Sequence, residues 1–108
     1  MKKILLDENL PKKLKFRFGK EFEVLTVPDL QWNSLKNGEL LQAMQENNFA
    51  VLITVHENLR FQQNLDKFNI IVIVLNAKDN RYETTLPFVK KIIYQIQKNQ
   101  NDKYIWID

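Results

Sequence analysis

The run that decides the fold is "NIIVIVLNA", residues 69–77. Ile70, Ile71, Val72, Ile73 and Val74 follow one another with no polar residue between them. Branching at Cβ favours extended backbone. A strand with one wet face alternates apolar and polar side chains, whereas an unbroken run suits a strand covered on both faces, as in parallel sheets. Parallel neighbours are joined by crossovers, so the flanking chain must supply helices.

Working outward, strand-like and helix-like segments alternate. Lys3 to Leu6 is a short apolar strand that stops at Asp7, Glu8 and Asn9. Leu10, Leu14 and Phe18 recur every four residues, which predicts a helix over 10–18 with Pro11 in its first turn and Gly19 beyond its end. Phe22 to Val27 is a second strand, stopped by Pro28, and residues 28–36 form a connection in which Trp32 is a packing anchor. "NGELLQAMQENN", residues 37–48, reads as a helix with Leu40, Leu41 and Met44 on one face and Asn37 as its N-cap. Phe49 to Thr54 is the third strand, and Arg60 to Phe68 a short helix. Beyond the 69–77 strand, apolar residues at 86, 88, 89, 92, 93 and 96 have helical spacing, and "YIWID" closes the chain as an edge strand. The expectation is one α/β domain over residues 1–108, a three-layer α/β/α sandwich around a mostly parallel central sheet.

Composition removes several classes of chemistry. Cysteine is absent, so no disulfide framework, thiol nucleophile or thiolate metal site can form, in keeping with a reducing compartment. Gly19 and Gly38 are the only glycines, and no glycine-rich phosphate cradle can be written. Ser34 is the only serine and His56 the only histidine, a poor basis for a serine triad. The apolar part of "MKKILLDENLP" ends after Ile4-Leu5-Leu6, too short for a signal peptide or a membrane span, so a cytoplasmic location is expected. Sixteen basic residues against 13 acidic ones give a net charge of +3. That excess permits nucleic-acid binding without requiring it. Lys12, Lys13, Lys15, Arg17 and Lys20 crowd the segment after Pro11, where a solvated helix face accounts for them on charge alone.

In parallel α/β sheets the functional cleft lies at the carboxyl ends of the strands. Asp7, Glu8 and Asn9 follow the first strand. Thr54, His56, Glu57 and Asn58 close the third, and Asn76, Asp79 and Asn80 follow the fourth. Between the second and third strands, Glu39 sits in the first turn of the "NGELL" helix. Singly, each has a structural explanation: Asp7, Asn9 and Asn58 as helix caps, Glu39 as a response to the helix dipole, His56 as a hydrogen-bonded surface residue. Gln62, Gln63 and Asn64 equally suit the polar face of a helix whose Phe61, Leu65 and Phe68 turn inward. Together, carboxylates gathered in a small space repel one another unless a cation joins them. An oxygen-rich site suits Mg²⁺ or Mn²⁺, and metal-assisted phosphodiester hydrolysis is the chemistry such a site performs.

"ILLDENLP", "WNSLKNGELLQAM", "VLITVHENLRFQQNL" and "IIVIVL" resemble, in that order and over most of the chain, the small PIN-like proteins of bacteria, which are related to the ribonuclease toxins of toxin–antitoxin pairs. The resemblance implies a Mg²⁺- or Mn²⁺-dependent ribonuclease, a hydrolase whose acids cluster at the strand ends. By position, Asp7 corresponds to the first-strand aspartate and Glu39 to the helix acid. Asn58 corresponds to an amide or acid, and Gln62, Gln63 and Asn64 to an amide cluster. Position 56 corresponds to an aspartate that is here histidine. Asp7, Glu39 and His56 are thus the expected metal and catalytic set, supported by Glu8, Asn9, Thr54 and Asn58. Lys12, Lys13, Lys15 and Arg17 would contact the RNA backbone. Replacing a carboxylate with imidazole removes a charge and a hard oxygen ligand, which disfavours Mg²⁺ and leaves room for softer ions. The partners to expect are RNA and an antitoxin protein, with homodimerisation open. The alternative is a degenerate member that binds RNA or a protein without cutting. A receiver-like signalling domain ranks below both, because none of His56, Glu57 and Asn58 is the aspartate it would need after the third strand.

Overall fold

Three apolar stretches, around residues 4, 52 and 73, line up side by side at the centre of a five-stranded sheet in a computed structural model that describes residues 1–55, 65–98 and 101–108. The strands are β1 (Lys2–Leu6), β2 (Phe22–Thr26), β3 (Val51–Val55), β4 (Ile71–Leu75) and β5 (Tyr104–Ile107), in the order β2-β1-β3-β4-β5. Every pairing is parallel. The expectation of a mostly parallel sheet therefore holds and is exceeded. β5 lies at an edge, as its position in the chain suggested. Residues of β3 and nearly all of β4 are buried, which is why both read as apolar on alternate and intervening positions alike.

Strand alternation sends the side chains to two apolar clusters. Ile4, Leu6, Ile53, Val55, Ile73, Leu75, Ile105 and Ile107 pack with Leu14, Phe18, Val89, Ile92 and Ile96. Leu5, Leu52, Val72 and Val74 point the other way and pack with Leu40, Leu41, Met44, Leu65 and Phe68. The helices behind these contacts are α1 (Asn37–Glu46), α2 (Tyr82–Thr85) and α3 (Phe88–Lys98). Helical elements thus contribute to both clusters, with α3 and the segment after β1 in one and α1 in the other. Trp32 meets Phe49 edge-on at 5.8 Å between ring centroids, the anchoring role expected of it.

Several boundaries differ from expectation. The segment after β1 forms a 3-10 helix over Lys12–Arg17 rather than an α-helix over 10–18. Pro11, its N-cap, has an extended backbone, and Leu10 and Phe18 reach the core from outside the helix. Gly19 follows with φ of 86°, a conformation open to glycine at little steric cost. The N-cap of α1 is Lys36 and not Asn37, because Glu39 reaches back to accept the Lys36 N–H at 3.1 Å. Ahead of α3 stands the separate turn α2, and Pro87 lies between the two helices. Of the helix expected over 60–68, only a 3-10 turn at Leu65–Lys67 falls within the described residues, with Leu65 and Phe68 buried.

Candidate functional site at the strand ends

Following the chain from β1, β2 is laid on one side and β3 on the other. The crevice where the chain direction reverses in this way is the usual ligand site of open α/β sheets. Leu6 pairs with Ile53, so the residues just beyond them, Asp7 and Thr54, arrive together at the mouth of that crevice. The Asp7 N–H donates to the Ile53 carbonyl at 2.9 Å, carrying the β1–β3 pairing one residue past the strand.

Asp7 is 2% exposed. Its Oδ2 accepts the Thr54 hydroxyl at 2.7 Å, and its Oδ1 accepts the Glu8 N–H at 2.9 Å. Thr54 is itself fully buried, so this contact forms out of water, where a hydroxyl–carboxylate bond is strong and costly to lose. Asp7 is therefore no cap of the following helix. That helix starts at Lys12 without any side-chain cap. The carboxylate is instead oriented from β3.

Around it stands a polar rim. Glu8 is exposed, and its Oε2 accepts from Asn33 Nδ2 at 3.1 Å. The Asn9 carbonyl accepts from Asn80 Nδ2 at 3.0 Å, which ties the end of β1 to the loop after β4. Asn80 was legible as a strand-end amide, but Asn33 was not, since nothing in a loop sequence says over which strand it folds back. Asn76 goes elsewhere, donating to Asp108 Oδ1 at 2.7 Å at the far edge of the sheet. Asp79 is engaged locally: Thr84 and the Arg81 N–H bond its carboxylate and hold its pKa down at about 2.

Glu39 begins α1, which leads into β3, but its carboxylate is exposed and engaged with the Lys36 N–H. His56, Glu57, Asn58, Gln62, Gln63 and Asn64 lie outside the described residues. Among the described residues, no three His, Cys, Asp or Glu side chains come together as a metal-holding group. The fit to a cation is therefore one of donor type. The described part of the site offers carboxylate, hydroxyl and amide oxygens and no sulfur, the ligand chemistry of Mg²⁺ and Mn²⁺, with Asp7 the one buried carboxylate.

Of the basic residues expected at an RNA backbone, Lys12 and Lys13 are exposed. Lys15 is paired with Asp29 at 2.9 Å, and Arg17 donates through Nε to the Tyr82 hydroxyl at 2.7 Å. Among the described residues, no helix is long and apolar enough to cross a membrane. Comparison with protein families, curated proteins and solved structures found no match to this chain.

Proposed function

We propose that this chain is a PIN-like, metal-dependent ribonuclease, related to the toxins of toxin–antitoxin pairs and working in the cytoplasm. The observation that carries the reading is Asp7, a buried carboxylate at the crevice where the sheet reverses, aimed by the Thr54 hydroxyl at 2.7 Å. A carboxylate held in one rotamer by a neighbouring strand is preorganised, so no reorganisation is needed when a cation or a polarised water meets it. Asp7 would hold Mg²⁺ or Mn²⁺, with Glu39 and His56 as the remaining members of the set. The ion, when bound, supplies an activated water and offsets the charge on the phosphodiester. Glu8 and Asn33 form the rim beside Asp7, and Lys12, Lys13 and Arg17 present cations to the phosphates without reading bases.

The test is cleavage of a labelled single-stranded RNA by purified protein with Mn²⁺ or Mg²⁺, repeated in chelator and with Asp7→Asn. Cleavage is expected to disappear in chelator and to fall at least about a hundredfold in the variant. Full activity of Asp7→Asn would sink the reading. A second reading is favoured by His56 standing at the family's aspartate position: a protein that binds RNA or an antitoxin and does not cut. It prevails if calorimetry detects no Mg²⁺ or Mn²⁺ binding to the parent protein and detects it for His56→Asp.

A further inference from the structure

Two of the segments that cover one face of the sheet are purely basic, and the longest helix over the other carries only acids. The segment from Asn9 to Lys20 contains Lys12, Lys13, Lys15, Arg17 and Lys20 and no acid, and the segment from Leu86 to Lys98 contains Lys90, Lys91 and Lys98 and no acid. Both pack into the same apolar cluster, through Leu14 and Phe18 from the first and Val89, Ile92 and Ile96 from the second. On the opposite face α1 carries Glu39 and Glu46 and neither Lys nor Arg. A net charge of +3 understates this asymmetry.

Two grooves run along the basic face. One, of about 420 Å³, is bordered by Lys90, Lys91, Tyr94, Gln95 and Trp106. The other, of about 490 Å³, lies between Arg17 and Lys90 over a floor of Leu86, Pro87 and Val89. Lys90 borders both, so the two grooves adjoin at that residue. Tyr94 stands in the first groove, and Phe16 and Tyr82 stand among the cations of the neighbouring 9–20 segment. Tyr94 is 58% exposed with Lys98 Nζ 5.4 Å from its ring centre, and Phe16 is 74% exposed with Lys15 Nζ at 5.4 Å. Lys13 and Arg17 both approach the Tyr82 ring at 6.0 Å. The acid that lines the first groove, Asp108, is already engaged: its Oδ1 accepts from Asn76 and Trp106, and its backbone carbonyl accepts from Lys91 at 2.7 Å.

We propose that this face is a binding track for single-stranded RNA, gripping phosphates with Arg17, Lys90 and Lys91 and stacking a base on Tyr94, apart from the strand-end carboxylate Asp7. Cations that line a groove follow a polyanion, and an exposed ring beside them takes an unpaired base of any identity, which a duplex cannot offer. The choice of RNA over DNA rests on the ribonuclease reading; the track itself does not.

The experiment is fluorescence anisotropy of an end-labelled RNA of roughly 12 nucleotides, in chelator so that nothing is cut, with salt varied between about 50 and 200 mM. Arg17→Glu and Lys90→Glu are each expected to weaken binding about tenfold and to flatten the slope of log affinity against log salt by about 0.7. Tyr94→Ala should weaken it about tenfold with Tyr94→Phe restoring it. Lys67→Glu makes the same charge change beside the opposite cluster and should leave affinity within about twofold. Circular dichroism of each variant verifies folding, and Lys90→Gln replaces Lys90→Glu if the reversal unfolds the chain. The proposal is overturned if Lys67→Glu weakens binding as much as Lys90→Glu, if a duplex of equal length binds as tightly, or if Tyr94→Ala has no effect. It is also overturned if Asp7→Asn abolishes binding in chelator. Retained binding by a parent protein that cleaves nothing with Mn²⁺ would remove the nuclease reading and leave the track standing.

Discussion

At the residue scale the decisive contact is a short hydrogen bond between two side chains 47 positions apart, Thr54 and Asp7. Each residue alone has an ordinary explanation, aspartate as a cap and threonine as a strand former. What makes them a unit is burial, since a carboxylate removed from water must be met by donors. Thr54→Val keeps the shape and removes the donor, so it is expected to destabilise the protein by about 1–3 kcal/mol in urea unfolding. An unchanged midpoint would show that Thr54 does not support the buried carboxylate. Three carboxylates elsewhere are held below their usual pKa: Asp29 chiefly by Lys15, Asp79 chiefly by Thr84, and Asp108 chiefly by Asn76. A lowered folded-state pKa means that the stability these groups contribute is present above about pH 4 and is lost as pH falls through their folded values, toward about 2 for Asp79. Unfolding midpoints measured from pH 5 to about pH 2 should therefore fall steeply in the parent and less so in Asp29→Asn, which lacks the Lys15-bonded carboxylate. Equal slopes would show that Asp29 takes no part.

At the element scale the sequence marked where strands and helices lie better than where they end. The β-branched run 70–74 and the alternation of apolar stretches locate the central strands to within a residue or two, because burial on both faces leaves no other pattern open to them. Helix ends were decided by single side chains. Glu39 moved the N-cap of α1 to Lys36, and Pro11 and Gly19 confined an expected α-helix to six residues of 3-10 helix, Lys12–Arg17. Apolar spacing cannot distinguish the two, because Leu10 and Phe18 are buried whether or not they lie inside the helix. Gly19 offers a clean test. A Cβ there would meet nothing within 4 Å, so any cost of Gly19→Ala comes from the backbone held at φ of 86°. Thermal unfolding is expected to show a loss of about 1–2 kcal/mol, and no loss would mean that the turn readjusts freely.

At the scale of the molecule, every strand pair among the described residues is parallel, so each of these pairings waits on a crossover rather than a hairpin. β5 protects the most apolar strand. The Val72 N–H donates to the carbonyl of Lys103, just ahead of β5, at 2.8 Å, and the Asn76 N–H to the Ile107 carbonyl at 2.8 Å. A chain ended after residue 102 would expose Ile71–Leu75 as an edge with an open hydrogen-bonding row, which is a template for aggregation. Light scattering during expression and refolding should show such a chain associating where the parent does not, and a monomeric truncated chain would mean that α3 shields the edge by itself.

By itself the sequence determined the fold class: the periods of its apolar residues, the absence of cysteine and the scarcity of glycine leave a parallel α/β domain and exclude thiol and glycine-loop chemistry. It also marked Asp7 and Thr54 as polar residues at strand ends. The strand order, the meeting of those two residues at the reversal of the sheet, and the gathering of Arg17 and Lys90 on one face were decided only in three dimensions. The physical reason is that apolar period reports which face of an element is buried. Which elements become neighbours depends on crossover connections and on the packing of side chains distant in the chain, and no local pattern records either.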